Sequence, residues 1–99
     1  MLIYSGVFDR FPNLKLCTGH GGGFFLYHMS RFDREFITGQ QTTRGPTGPT
    51  RRASCAYLKT LYFDTLVYYA GTLNFLRRKV GAEYLLLGPD FPYVLSAWQ

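Results

Sequence analysis

Histidine and cysteine are scarce in this 99-residue chain, and each shortage removes a class of chemistry. Imidazole occurs only at His20 and His28. Cys17 and Cys55 lie far apart and form no Cys-x-x-Cys pattern, so neither a zinc finger nor a disulfide framework is expected. Cys17 falls in an apolar run and reads as a small buried hydrophobe. No apolar stretch approaches the roughly eighteen residues of a membrane-spanning helix. The first residues lack the basic region, apolar core and cleavage site of a signal peptide, so a cytoplasmic location is expected. The glycines after His20 lack both the terminal Gly-Lys-Ser/Thr of a phosphate-binding loop and the spacing of a dinucleotide turn. Ser30 and Ser54 are not flanked as a nucleophile elbow requires. No internal repeat or low-complexity tract is found.

Aromatic side chains, by contrast, are abundant. They form 18% of the chain, with nine Phe and eight Tyr, against 46% hydrophobic and 17% charged residues overall. This composition is globular rather than disordered, and the length allows one modest core. A net charge of +5 with many aromatics raises nucleic acid as a partner. The basic residues are nevertheless scattered in twos and threes (Arg31 and Arg34, Arg51 and Arg52, Arg77 to Lys79) and make no stripe. No nucleic-acid role is expected.

Read along the chain, Leu2–Phe11 is amphipathic and stops at Phe11-Pro12-Asn13, where proline disfavours helix in the residue before it. Leu14 to Cys17 has strand length and ends in Thr18-Gly19-His20-Gly21-Gly22-Gly23. Phe25, Leu26, Met29, Phe32 and Phe36 then share one helical face over residues 24–38. Residues 39–54 carry Gly, Pro and Thr without periodicity and read as an exposed loop. A second strand is expected at Leu61–Phe63. A helix over about 69–80 follows, ending in Arg77-Arg78-Lys79 and Gly81, which suit a helix C-terminus. A third strand, Tyr84–Leu87, runs into Gly88-Pro89-Asp90-Phe91-Pro92. Apolar strands alternating with helices predict a parallel α/β sheet.

Each strand is followed by a turn with an ionisable residue: His20, Asp64 and Asp90. In parallel α/β folds the C-terminal strand ends form the active face. The three glycines after His20 permit positive φ and close approach of a substrate or metal. Imidazole serves metal ligation or proton transfer near neutral pH, and equally a hydrogen bond within a tight turn. Asp90, placed after a fully apolar strand, must be paired, solvated or metal-bound, with a helix cap or aspartate turn as the plainer reading. Asp64 leans toward capping, and His28 toward a partly exposed helix surface.

Four stretches together resemble the amidohydrolase-related family, in the branch of aminocarboxymuconate-semialdehyde decarboxylase. They are residues 6–16 (Gly-Val-Phe-Asp-Arg-Phe-Pro-Asn-Leu-Lys-Leu), residues 19–23 (Gly-His-Gly-Gly-Gly), residues 62–67 (Tyr-Phe-Asp-Thr-Leu-Val) and residues 80–93, from Val80-Gly81-Ala82-Glu83 to Gly88-Pro89-Asp90-Phe91-Pro92-Tyr93. The resemblance implies that residues 1–99 are a partial domain, the C-terminal portion of a TIM-like (β/α)8 barrel with strands six to eight and their flanking helices. It implies that His20 acts in acid–base catalysis and that Asp90 is a metal ligand, usually of zinc or another divalent ion. Arg31 matches an arginine that reaches a substrate carboxylate in a neighbouring subunit, so a homodimer of the full-length parent is compatible with it. The implied activity is that of a carboxy-lyase acting on an unsaturated or aromatic carboxylic acid. Hydrolase chemistry of the same family and a non-catalytic truncated remnant are the alternatives.

The departures from the pattern bound this expectation. The family's first strand carries a His-x-His pair and a further metal histidine follows strand five, and neither is present. A zinc site takes at least three protein ligands, so the chain is expected not to hold the ion stably by itself. Tyr68 and Tyr69 stand where relatives often have His-Asp, and Pro89 replaces a usual serine or threonine beside Asp90. An isolated piece of barrel is also expected to expose apolar strand edges.

Overall fold

A computed structural model describes residues 2–41 and 52–93. Its elements run in the order α1 (Val7–Arg10), β1 (Leu16–Thr18), α2 (Phe25–Gln41), β2 (Leu61–Asp64), α3 (Ala70–Val80) and β3 (Leu85–Leu86). Short 3-10 segments occupy His20–Gly22, Ser54–Thr60 and Ala82–Tyr84. The strands form one parallel sheet in the order β1-β2-β3, with Leu16 opposite Leu61, Thr18 opposite Phe63, and Phe63 opposite Leu85. The expected alternation of strand and helix is therefore present. All three strand C-termini lie at one end of the sheet.

Burial alternates along β2 as a pleated strand requires. Leu61 and Phe63 are 3% and 0% exposed, while Tyr62 and Asp64 are half-buried. The buried face packs against Phe8, Leu26, Tyr57 and Leu76, with Leu16, Val67, Val80 and Leu85 closing its margins. Full burial of a side chain such as Phe63 is worth about 2–3 kcal/mol. The opposite face carries Cys17, Tyr62 and Leu86 by register, and Cys17 and Leu86 are exposed. This corrects the expectation that Cys17 is buried. A short apolar strand reads as buried on both faces, but among the described residues the face toward the helices is the one fully buried, and Cys17 lies on the other. Parallel sheets are ordinarily covered on both. Leu86, Leu87, Phe91 and Tyr93 add to the exposed apolar surface at the β3 side.

Several boundaries differ from the sequence expectation, each for a local reason. The opening amphipathic stretch yields only one turn of helix, because Gly6 sits at φ +70 and breaks the chain into turns before Val7. α2 runs on to Gln41, past the expected helix end at 38. Most of the expected loop at 39–54 falls on residues 42–51, outside the described residues. The 3-10 segment Ser54–Thr60 was not foreseen. Asp33 on α2 holds its start by accepting from the Cys55 N–H at 3.2 Å, and a hydrogen bond from the Cys55 thiol to Asp33 pushes that thiol up in pKa. Tyr57 anchors the same segment from beneath, donating to Asp9 Oδ2 at 2.7 Å with Arg52 lying over its ring. β3 is cut to two residues, as Ala82–Tyr84 takes the chain before it and Pro89 cannot donate to a ladder. α3 ends as expected, with the Gly81 N–H bonded back to the Arg77 carbonyl and Gly81 at φ +96.

Candidate functional site

The end of β1 is built around glycine for steric reasons. His20, Gly21, Gly22 and Gly23 have φ of 54°, 60°, 80° and 55°, a run of left-handed backbone that only glycine adopts freely. Space is as tight as the torsions are unusual. A Cβ on Gly22 would lie 2.7 Å from the Phe63 ring, and one on Gly21 would lie 2.6 Å from Val67 and 2.9 Å from Leu76. The turn therefore presses directly onto β2 and α3. Gly22→Ala is expected to cost about 2–3 kcal/mol from left-handed strain and crowding together, read as a lower urea midpoint with an unchanged slope.

Asp64, the last residue of β2, ties the turn down. Its Oδ2 accepts from the His20 N–H at 3.0 Å, and its Oδ1 accepts from the Gly21 N–H at 2.8 Å and the Leu66 N–H at 3.2 Å. Three backbone donors thus converge on one carboxylate, which holds the β1 turn to the end of β2. On the other side a Cβ at Gly88 would come within 2.9 Å of the Asp64 Cβ, so the stretch after β3 closes against the same residue. Asp64 is structural glue, as its capping reading anticipated.

His20 and Asp90 flank this hub. They follow β1 and β3, which lie on either side of β2 and so are roughly 10 Å apart in the sheet. The His20 side chain is exposed, and its residue is one of only two non-glycine positions with positive φ among the described residues. The other is Tyr68, at φ +36. Asp90 is half-buried. Desolvation first, and then the charge and hydrogen-bonding capacity of Asp90, hold the Tyr68 phenol above the ordinary tyrosine range. In the sequence Tyr68 is marked only as a departure from a family pattern.

Arg31 lies elsewhere. It is exposed on α2, about 9 Å along the helix from Phe25, and is not brought to the strand ends. His28 is exposed on the same helix, with its ring 5.7 Å from Phe24 and 5.1 Å from Tyr27. A groove of about 520 Å³ opens beside the glycine turn, lined by His20, Leu26, Tyr27, Val67, Tyr69 and Phe75 among others. It reaches His20 but not Asp90. Among the described residues no three of His, Cys, Asp or Glu come together as a metal cluster. No helix among them is long and apolar enough to cross a membrane.

A parallel sheet with ionisable residues at its strand ends is common to many enzymes, and comparison with known proteins separates them. The amidohydrolase family model matches residues 1–99. The chain belongs to the amidohydrolase family. It is 33% identical over 97 residues to 2-amino-3-carboxymuconate-6-semialdehyde decarboxylase of Dictyostelium discoideum, a match covering 96% of this chain and 26% of the relative. The structure of a dihydroxybenzoic acid decarboxylase from Polaromonas sp. JS666, with bound manganese and the inhibitor 2-nitroresorcinol, superimposes with a TM-score of 0.76 at 30% identity. That alignment covers 92% of this chain and 27% of the Polaromonas chain. A 5-carboxyvanillate decarboxylase from Novosphingobium aromaticivorans, complexed with manganese and 4-hydroxy-3-methoxy-5-nitrobenzoic acid, gives 0.78 at 27% identity over 93% of this chain and 27% of that one. The amidohydrolase chain thus spans about a quarter of the length of the relatives it matches. Both solved decarboxylases carry bound manganese.

Proposed function

We propose that this amidohydrolase segment is the C-terminal, strand six to eight portion of a metal-dependent carboxy-lyase acting on an unsaturated or aromatic carboxylic acid. The observation that carries the reading is the convergence of the His20 turn and the Asp90 stretch on Asp64, at the C-terminal end of a parallel sheet that exposes Cys17 and Leu86 on its other face. Completion of that sheet by the remaining strands of a barrel would cover Cys17, Tyr62 and Leu86 and enclose the strand ends.

A carboxylate such as Asp90 suits a hard divalent cation as one oxygen donor, and its position at the end of β3 is open enough to share. The remaining donors of such a site would come from the barrel strands that precede this segment in the parent. Manganese in the neighbours supports a divalent metal in the parent and does not single out zinc. When bound, such an ion stabilises negative charge and acidifies a bound water. The chain's own residues act around it. His20, solvent-accessible on a rigid turn, would deliver a proton to the carbon that loses carbon dioxide and recover one afterwards. Arg31, exposed on α2, would present a two-pronged guanidinium to a carboxylate bound by a neighbouring subunit.

The test is a transplant. Residues 1–99 replace the stretch they match in the Polaromonas decarboxylase and, separately, in the Dictyostelium relative. Each chimera is checked for folding and metal content and then assayed for carbon dioxide release from the host's substrate. Release by either chimera is expected. Folded, metal-loaded chimeras that release none would sink the reading. Cleavage of esters or lactones without carbon dioxide would point to hydrolysis instead.

A further inference from the structure

The groove beside the glycine turn has aromatic walls that the core does not use. Tyr27 on α2 is 78% exposed, Tyr69 at the start of α3 is 72% exposed and Phe75 on α3 is 42% exposed, and all three line the groove with His20. Its volume of about 520 Å³ falls within the roughly 300–1,000 Å³ usual for small-molecule sites. Tyr69 has a defined seat there. Its ring lies against the first turn of α3, where a Cβ on Gly71 would come 2.5 Å from the Tyr69 Cε1, 3.1 Å from its Cζ and 3.2 Å from its Cδ1. Gly71 is not one of the glycines with positive φ, and inside a helix alanine is the residue that propensity favours. What glycine supplies at this position is room for the Tyr69 ring. The ring gains little burial in return, so packing does not account for the arrangement.

We propose that this groove holds the ring of an aromatic substrate, with Tyr27, Tyr69 and Phe75 as its walls, His20 at its reacting end and Gly71 seating the Tyr69 ring. The inference rests on the decarboxylase reading and narrows the substrate to an aromatic acid in preference to an open-chain one. Aromatic rings pair in stacked or edge-on geometry, which adds to the gain from area burial alone. The two phenols and the Thr72 hydroxyl offer hydrogen bonds to hydroxyl groups on such a ring. Among the described residues lining the groove there is no Lys or Arg. A second carboxylate entering it would therefore lose water without gaining a cation, which disfavours an open-chain dicarboxylate. The groove does not reach Asp90, so it takes the ring and leaves the departing carboxylate at the strand ends.

The Dictyostelium relative is named for an open-chain substrate, so its chimera carrying residues 1–99 is the informative host. The probe is 2-nitroresorcinol, an aromatic ring without a carboxylate. The chimera is expected to bind it about 10-fold more tightly than the unaltered Dictyostelium enzyme does; equal affinity overturns the proposal. Tyr69→Ala is expected to abolish that gain, and Tyr69→Phe, which keeps the ring, to retain it within about 2-fold. A gain that survives Tyr69→Ala overturns the proposal as well. Gly71→Ala is expected to weaken binding several-fold with Tm unchanged or raised, because the clash is relieved by the ring moving while alanine suits the helix. Undiminished binding in that variant would count against the seat. Failure of the decarboxylase reading looks different: a folded, metal-loaded chimera that releases no carbon dioxide but binds 2-nitroresorcinol through Tyr69 sinks that reading and leaves the groove an aromatic site.

Discussion

In a folded, metal-loaded chimera carrying residues 1–99, His20→Asn is expected to reduce the rate of carbon dioxide release by about 10²–10⁴-fold, the usual worth of a positioned acid or base. Asparagine is the informative replacement because His20 occupies left-handed backbone at φ +54, which Asn tolerates better than other non-glycine residues. The turn is held through the His20 backbone N–H and Asp64, not through the imidazole, so the substitution leaves that tether in place. Stability should therefore change by no more than a few tenths of a kcal/mol while the rate collapses. The paired measurements are the denaturation midpoint and the pH profile of the rate. Loss of rate with an unchanged midpoint identifies proton handling. Rate and midpoint falling together would reduce His20 to a structural role in the turn. A nearly unchanged rate would assign the proton to another group.

The sheet was largely legible in the sequence because strands covered on one face by helices leave short apolar runs with glycine at their ends. Leu61 and Phe63 were identified, and so was the helical face of Leu26, Met29 and Phe36, all now buried. Cys17 was misread because apolar neighbours in sequence do not tell which face of a strand is covered. The Ser54–Thr60 segment escaped because its fixing contacts are long-range. Asp33 lies 22 residues before Cys55, and Asp9 lies 48 residues before Tyr57. At the site, His20 and Asp90 stood out as ionisable groups after strands, and Asp64 as a cap. The left-handed backbone at Tyr68 did not, since no residue pattern announces that torsion.

The largest stability effect is expected at Asp64. Asp64→Ala removes the acceptor of three backbone N–H groups at once, those of His20, Gly21 and Leu66. Hydrogen bonds to a charged group are worth about 1.5–3 kcal/mol each, and partial exposure here lets water replace some of that. A net loss of about 4 kcal/mol is expected, a large share of the roughly 5–15 kcal/mol that stabilises a whole domain. Asp64→Asn keeps one acceptor oxygen and the side-chain shape, so it should retain part of the tether and lose about half as much. Gly21 and Gly22 press on Val67, Leu76 and Phe63, so the damage should spread from the turn into the core face. Urea unfolding of both variants gives the sizes, and amide exchange gives the place: protection should fall first at residues 20–22 and 66. A loss below about 1 kcal/mol for Asp64→Ala would show that the glycine turn is held by its packing on Phe63 and Leu76 instead of by the carboxylate.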